Sequence, residues 1–196
     1  MKTINNRITE YEVNDIFLNR YSPRAMSGES ILKEELMTMF EASRWAPSSR
    51  NEQPWRFLYT TKETFDFDLF LSFLLENNQT WCRNAGALVI GLSKKTSNDG
   101  IVNIKHSLDT GSAWENLALQ GTNMGLVVHG MGGYNEELLR KELQVSDDYQ
   151  IELMIAIGRP GKIEDLPEKL QEREKPSQRK NLDEIVFEGK EGVNNL

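Results

Sequence analysis

The sequence predicts an α+β fold, and three observations carry that prediction. Leu32, Leu36, Met39 and Phe40 recur at i, i+4, i+7 and i+8, the spacing of a helix with one buried face. Residues 87–92 and 151–157 are short apolar runs suited to buried strands. Helical and strand-like segments alternate along the chain without an internal repeat, and 196 residues suffice for one sizeable core.

The elements follow in order. Residues 15–18 belong to a first short helix that stops before Ser22-Pro23, because proline disfavours the helical conformation in the residue before it. The helix containing Leu32 to Phe40 ends before Pro47. Residues 55–60 read as a strand and 65–76 as a helix with Phe65, Leu69 and Phe73 on one side. Residues 94–103 are polar around a Ser-Asn-Asp-Gly turn and are the expected flexible insertion. Trp114, Leu117, Ala118 and Gly121 lie at helical spacing in a close-packing helix, with Asp109 and Ser112 expected to cap its start and Gly125 its end. A strand at 126–129, an amphipathic helix at 136–143 and the strand at 151–157 complete the alternation. Residues 165–180, crowded with charge and holding Pro167 and Pro176, form a surface connection before 182–187 regain apolar character.

Composition narrows the function. With 38% hydrophobic and 27% charged residues the chain describes a folded, soluble protein. No apolar run approaches the roughly 20 residues that span a bilayer, and residues 1–10 lack an apolar signal core, so a cytoplasmic location is the default. The lone Cys82 excludes an intramolecular disulfide, and with only His106 and His129 beside it a metal cluster is not expected. A net charge of -7 argues against nonspecific nucleic-acid or anionic-membrane binding. Two histidines at these positions give no Ser-His-Asp arrangement.

Two segments carry the chemistry. In Arg20-Tyr21-Ser22-Pro23-Arg24 an extended backbone aims alternate side chains, Arg20, Ser22 and Arg24, at one anion; the plainer reading is a solvated helix end with a capping serine. Ala46-Pro47-Ser48-Ser49-Arg50-Asn51-Glu52-Gln53-Pro54-Trp55 is a polar loop whose amides and hydroxyls suit a flat heterocycle, or an ordinary helix-to-strand turn. Gln53 and Trp55 read as structural.

These segments resemble the nitroreductase family, FMN flavoproteins. The resemblance extends through Asp109-Thr110-Gly111-Ser112-Ala113-Trp114-Glu115-Asn116, Gly130-Met131-Gly132-Gly133-Tyr134-Asn135, Ile155-Ala156-Ile157-Gly158-Arg159-Pro160 and Arg179-Lys180-Asn181-Leu182-Asp183-Glu184-Ile185-Val186. It implies a three-layer α+β fold with a central, mostly antiparallel sheet between helices. It further implies a single domain over 1–196, with a core at about 15–188 and a C-terminal arm at about 165–196 that is exchanged in a homodimer.

By the same resemblance FMN is the cofactor, held by Arg20, Tyr21, Ser22, Arg24 and Arg179, by Asn78, and by Gly130, Met131, Gly132 and Gly133. Pro47, Ser48, Ser49 and Asn51 reach it from the partner subunit. Some relatives carry a glutamate where this chain has Gly132, so only a backbone role carries over; Gly130-x-Gly132-Gly133 is not a dinucleotide fingerprint. NADH or NADPH would reduce the flavin, and an oxidised small molecule such as a nitroaromatic or quinone would reoxidise it in ping-pong fashion. Catalytic side chains are not expected. The alternatives are another flavin reaction on this fold (dehalogenation, flavin fragmentation or desaturation) or flavin sequestration with little turnover. His106 and the 94–103 loop are open candidates for substrate contact.

Overall fold

The computed structural model describes residues 3–190. The last six residues of the expected arm, 191–196, and residues 1–2 lie outside the described part. Four strands, β3 (Trp55–Thr61), β4 (Ala87–Lys94), β5 (Val127–Met131) and β6 (Tyr149–Gly158), form an antiparallel sheet in the order β3-β4-β6-β5. Sheet alternation decides the layers. Ala87 and Val89 of β4, with Ile155 and Ile157 of β6, pack against α2 (Lys33–Arg44) and α5 (His106–Asn123) through Leu36, Met39, Leu117 and Ala118. Leu88, Ile90 and Leu92, with Met154 and Ala156, face the opposite way onto α3 (Phe67–Phe73), α4 (Glu76–Cys82) and α6 (Glu136–Leu143). Helices on both faces explain why β4 is a continuous apolar run, buried on each side. A bulge pairs Gly91 with Leu153 and Leu92 with Ile151, which leaves Glu152 without a register partner.

Several helix boundaries follow from local chemistry. Glu35 caps α2 by accepting from the Leu32 N–H at 3.0 Å. Gly125, at φ +72°, ends α5 in a Schellman motif: its N–H donates to Thr122 O and the Leu126 N–H to Gly121 O. Asn135 caps α6 by accepting from Leu138 N at 3.0 Å.

Other expectations are corrected. The helix expected over 65–76 breaks at Leu74 into α3 and α4, because Leu74 bridges Tyr134 and the Leu75 N–H donates to Gly133 O. Phe65 is fully exposed rather than on the buried side. Asp109 and Ser112 do not cap α5, which begins three residues earlier, where Asn103 Oδ1 accepts from Lys105 N at 3.0 Å. The strand expected at 126–129 is β5, Val127–Met131, so it takes in Gly130 and Met131. In the arm, Leu182–Glu184 is a 3-10 turn, where the Glu184 carboxylate accepts from Asn181 N and winds the backbone.

The N-terminal segment holds an element the sequence analysis missed. β1 (Thr3–Ile4) and β2 (Arg7–Ile8) form a hairpin across Asn5 and Asn6, both at positive φ, as a type I′ turn requires. Asn-Asn between Thr-Ile and Arg-Ile is the signal for it. α1 (Asp15–Asn19) follows, and a short helix α7 (Glu168–Gln171) lies in the charged connection.

Candidate flavin site

In the 20–24 segment the backbone is extended at Arg20, and the side chains that follow alternate between two hollows. Arg20 and Ser22 face one hollow of about 370 Å³, together with Trp114 and Glu115 of α5, Gly130 and Met131 of β5, Gly132 and Leu153 of β6. Tyr21 and Pro23 face a neighbouring hollow with Ala25 and Glu174. The segment is fixed at its far end by a short ladder with the exit of β6: Ser27 N donates to Arg159 O, Gly161 N to Ala25 O, and Met26 bridges Pro160. Glycine is required at 161, where an added Cβ would lie 2.5 Å from the Met26 carbonyl carbon.

Arg20 Nη1 lies 3.4 Å from Ser22 Oγ, and its Nε is 3.8 Å from the half-exposed Glu115 carboxylate. Arg24 departs from the expected convergence. Its Nη1 lies 3.5 Å from Glu174 Oε2, while Glu174 Oε1 accepts from the Arg24 and Ala25 backbone N–H groups. The Glu174 side chain is 1% exposed, so the guanidinium turns inward to neutralise a buried carboxylate rather than outward beside Arg20. Glu174 sits in the charged connection, and nothing in its local sequence marks it. Burial, followed by the Glu174 charge, raises the Tyr21 phenol above its ordinary pKa.

The hollow's lining includes two glycines. A Cβ on Gly130 would stand 2.8 Å from Trp114 Cζ2 and 3.2 Å from Leu153 Cδ1, so glycine lets the indole lie on the strand. A Cβ on Gly132 would meet nothing within 4 Å, so this backbone borders open space. Asn78 Nδ2 donates to Gly133 O at 3.1 Å, which joins α4 to this edge. His129, one residue before Gly130, donates from Nδ1 to Pro23 O at 2.9 Å and rests on Trp81 with centroids 4.7 Å apart. Since a carbonyl only accepts, Nδ1 carries the proton.

The 47–51 loop stands apart. Pro47, Ser49 and Asn51 are exposed, and Ser48 Oγ accepts from Gln53 N at 3.0 Å. Asp109, buried in the first turns of α5, accepts from Ser49 N at 3.1 Å and pins the loop to that helix. Arg50, Asn51 and Gln53 all have positive φ although none is glycine. Such strain persists only where surrounding structure over-determines it, and it gathers at functional sites.

Arg179 lies on the arm, where it donates to Ser177 Oγ at 2.9 Å and to the Gln178 carbonyl. His106 does not line the hollow. Ser93 Oγ donates to Glu152 and lies 2.7 Å from His106 Nδ1, so Nδ1 is the donor to Ser93. A protonated nitrogen facing Ser93 cannot take its proton, and the three residues make no acyl-transfer triad. The 94–103 segment is tied down by a Thr96–Val102 bridge and by the Asn103 N–H donating to Lys95 O.

Comparison with known proteins decides the family. A sequence profile described as the Nitroreductase family matches residues 18–66. A crystal structure described as the oxidoreductase containing FMN superposes with a TM-score of 0.94 at 41% identity, covering 97% of this chain and 98% of its own. The chain belongs to the nitroreductase family. The fold agreement extends to an FMN complex of a provisionally described nitroreductase from Desulfovibrio desulfuricans subsp., with a TM-score of 0.72 at 22% identity over 91% of this chain and 98% of that one. YfhC of Bacillus subtilis (strain 168), a provisionally named NAD(P)H nitroreductase, is 33% identical over 61 residues, which span 31% of each sequence. As the resemblance implied, this nitroreductase-family chain has the antiparallel sheet flanked by helices. Among the described residues no helix is long and apolar enough to cross a membrane, and no group of acidic, His and Cys side chains could hold a metal ion.

Proposed function

We propose that the protein is an FMN-dependent oxidoreductase that takes hydride from NADH or NADPH and passes it to an oxidised small molecule, such as a nitroaromatic or quinone. The observation that carries this reading is a hollow lined together by Arg20, Ser22, the Trp114 indole and the Gly132 backbone, whose missing side chain would meet nothing within 4 Å. That donor set fits FMN: a guanidinium and hydroxyl suit a phosphate, and a strand edge without side chains lets N–H groups approach a flat ring. Flavin held there would supply the redox chemistry, two-electron transfer between the nicotinamide and the acceptor.

The chain's own groups bind and orient. Arg20 and Ser22 would hold the phosphate, with Arg179 reaching from the arm, while Tyr21 and Arg24, turned to the neighbouring hollow and to Glu174, would only steady the backbone between them. Asn78 keeps the Gly132-Gly133 backbone in place, so that N–H dipoles are aimed at the ring edge before charge develops there. Pro47, Ser48, Ser49 and Asn51 serve the partner's flavin in a homodimer. Exposed Ile101, Val102, Ile104 and Leu108 around the start of α5, and Trp45 at the end of α2, give such a dimer apolar surface to bury. The arm, crossing to the partner, completes one nitroreductase-like domain, and a cytoplasmic setting with NAD(P)H at hand belongs to the proposal.

Purified protein should release FMN identified by mass, bleach it on addition of NADH or NADPH, and recover its colour with an added quinone or nitroaromatic. Finding FAD or no flavin affinity overturns the cofactor. Bound FMN that neither nucleotide bleaches makes the protein a flavin carrier rather than an enzyme.

A further inference from the structure

The charge lying behind Arg20 belongs to the N-terminal hairpin, ahead of the segment matched by the family profile. Arg7 of β2 is 6% exposed, yet among the described residues its guanidinium donates to carbonyls: from Nη1 to Leu18 O at 2.9 Å and Arg20 O at 2.6 Å, and from Nε to Ser177 O at 3.0 Å. Among the described residues it makes no ion pair. A buried guanidinium is costly to desolvate, and three carbonyls take three of its five N–H groups without neutralising it.

The neighbours increase that charge. Burial first, then Arg179 and Arg20, hold the Arg7 pKa below the ordinary arginine range, so the three cations share one region. Among the described residues Arg20 has the half-exposed Glu115, at 3.8 Å, as its carboxylate neighbour, and Arg179 donates to Ser177 Oγ and to backbone carbonyls. The three carbonyls that Arg7 grips come from three places: the last turn of α1, the start of the 20–24 segment, and the arm two residues before Arg179. Gln178 donating to Asn6 O, and Leu182 N donating to Glu10 Oε1, fasten the arm to the same N-terminal segment.

We infer that Arg7 is a positioning residue for the phosphate end of the flavin site, its buried fork fixing the backbone segments that carry Arg20 and Arg179 and adding its charge to theirs. The inference rests on the FMN reading above. Only a guanidinium, with five N–H groups in a fixed plane, can span the three carbonyls and remain charged.

The test compares FMN with riboflavin, which has the same ring and ribityl chain without phosphate. Fluorescence titration of the full chain and of Arg7→Ala and Arg7→Lys, with thermal melts alongside, gives both affinities. The expected result is that Arg7→Ala weakens FMN by about ten-fold or more while riboflavin affinity is unchanged. Arg7→Lys, which keeps a charge but cannot make the fork, should fall between; it decides the matter if Arg7→Ala does not fold. Equal loss of both ligands, or no loss of either, in the folded variants overturns the inference and leaves Arg7 a structural staple. A wild-type protein that does not prefer FMN to riboflavin refutes instead the phosphate end of the functional reading.

Discussion

His129 illustrates how one residue couples the sheet to the anion-binding segment. Its Nδ1–H holds Pro23 O at 2.9 Å, and burial, aided by the nearby Arg24 charge, lowers its pKa below the ordinary 6.5 against the opposing pull of Pro23 O, Glu174 and Ser22. Between the folded pKa and 6.5 the unfolded chain therefore binds the extra proton, and stability rises with pH there. The contribution is complete above the ordinary value and is lost as pH falls through the folded one. Urea unfolding followed from neutral to mildly acidic pH should show this slope, and His129→Gln should flatten it. An unchanged slope in the variant would assign the acid sensitivity to other groups. Sequence reading left His129 without a role, because its partner carbonyl lies 106 positions away.

Glycines show the same contrast between elements that the sequence announces and contacts that it does not. The 3.6-residue period revealed α2 and α5, and the close-packing use of Gly121 was legible from Ala118 and Gly121 at helical spacing. An added Cβ at Gly121 would lie 2.4 Å from Val128 Cγ2 and 2.7 Å from Met39 Cε, so α5 meets both β5 and α2 there. Gly121→Ala should destabilise the protein by about 1–3 kcal/mol, read as a lower melting temperature. Gly132→Ala, with nothing near its new Cβ, should leave the melt unchanged and lower flavin occupancy. Loss of stability in both variants would remove the distinction between a packing glycine and a site glycine. By contrast, the break between α3 and α4 had no local signal. It exists because Leu74 and Leu75 pair with 133–134, and that pairing sets Asn78 against Gly133.

At the scale of the molecule, a flavin gripped by two chains must favour their association by mass action. FMN should shift the protein towards dimer in sedimentation velocity, and deletion of residues 182–196 should weaken both the dimer and FMN binding. A monomer that binds FMN with full stoichiometry would refute the shared site while sparing the flavoenzyme reading. What the sequence alone determined is what depends on neighbours along the chain: the alternation of helices and strands, the alternate facing of Arg20 and Ser22, and the segments that carry the family resemblance. What only the tertiary structure decided depends on groups far apart in the chain. Glu174 turns Arg24 inward, Asp109 rather than a cap takes the Ser49 N–H, and Arg7 reaches Ser177 across 170 positions. A buried charge or an unpaired N–H must find a partner wherever the fold brings one, and one-dimensional spacing holds no record of that search.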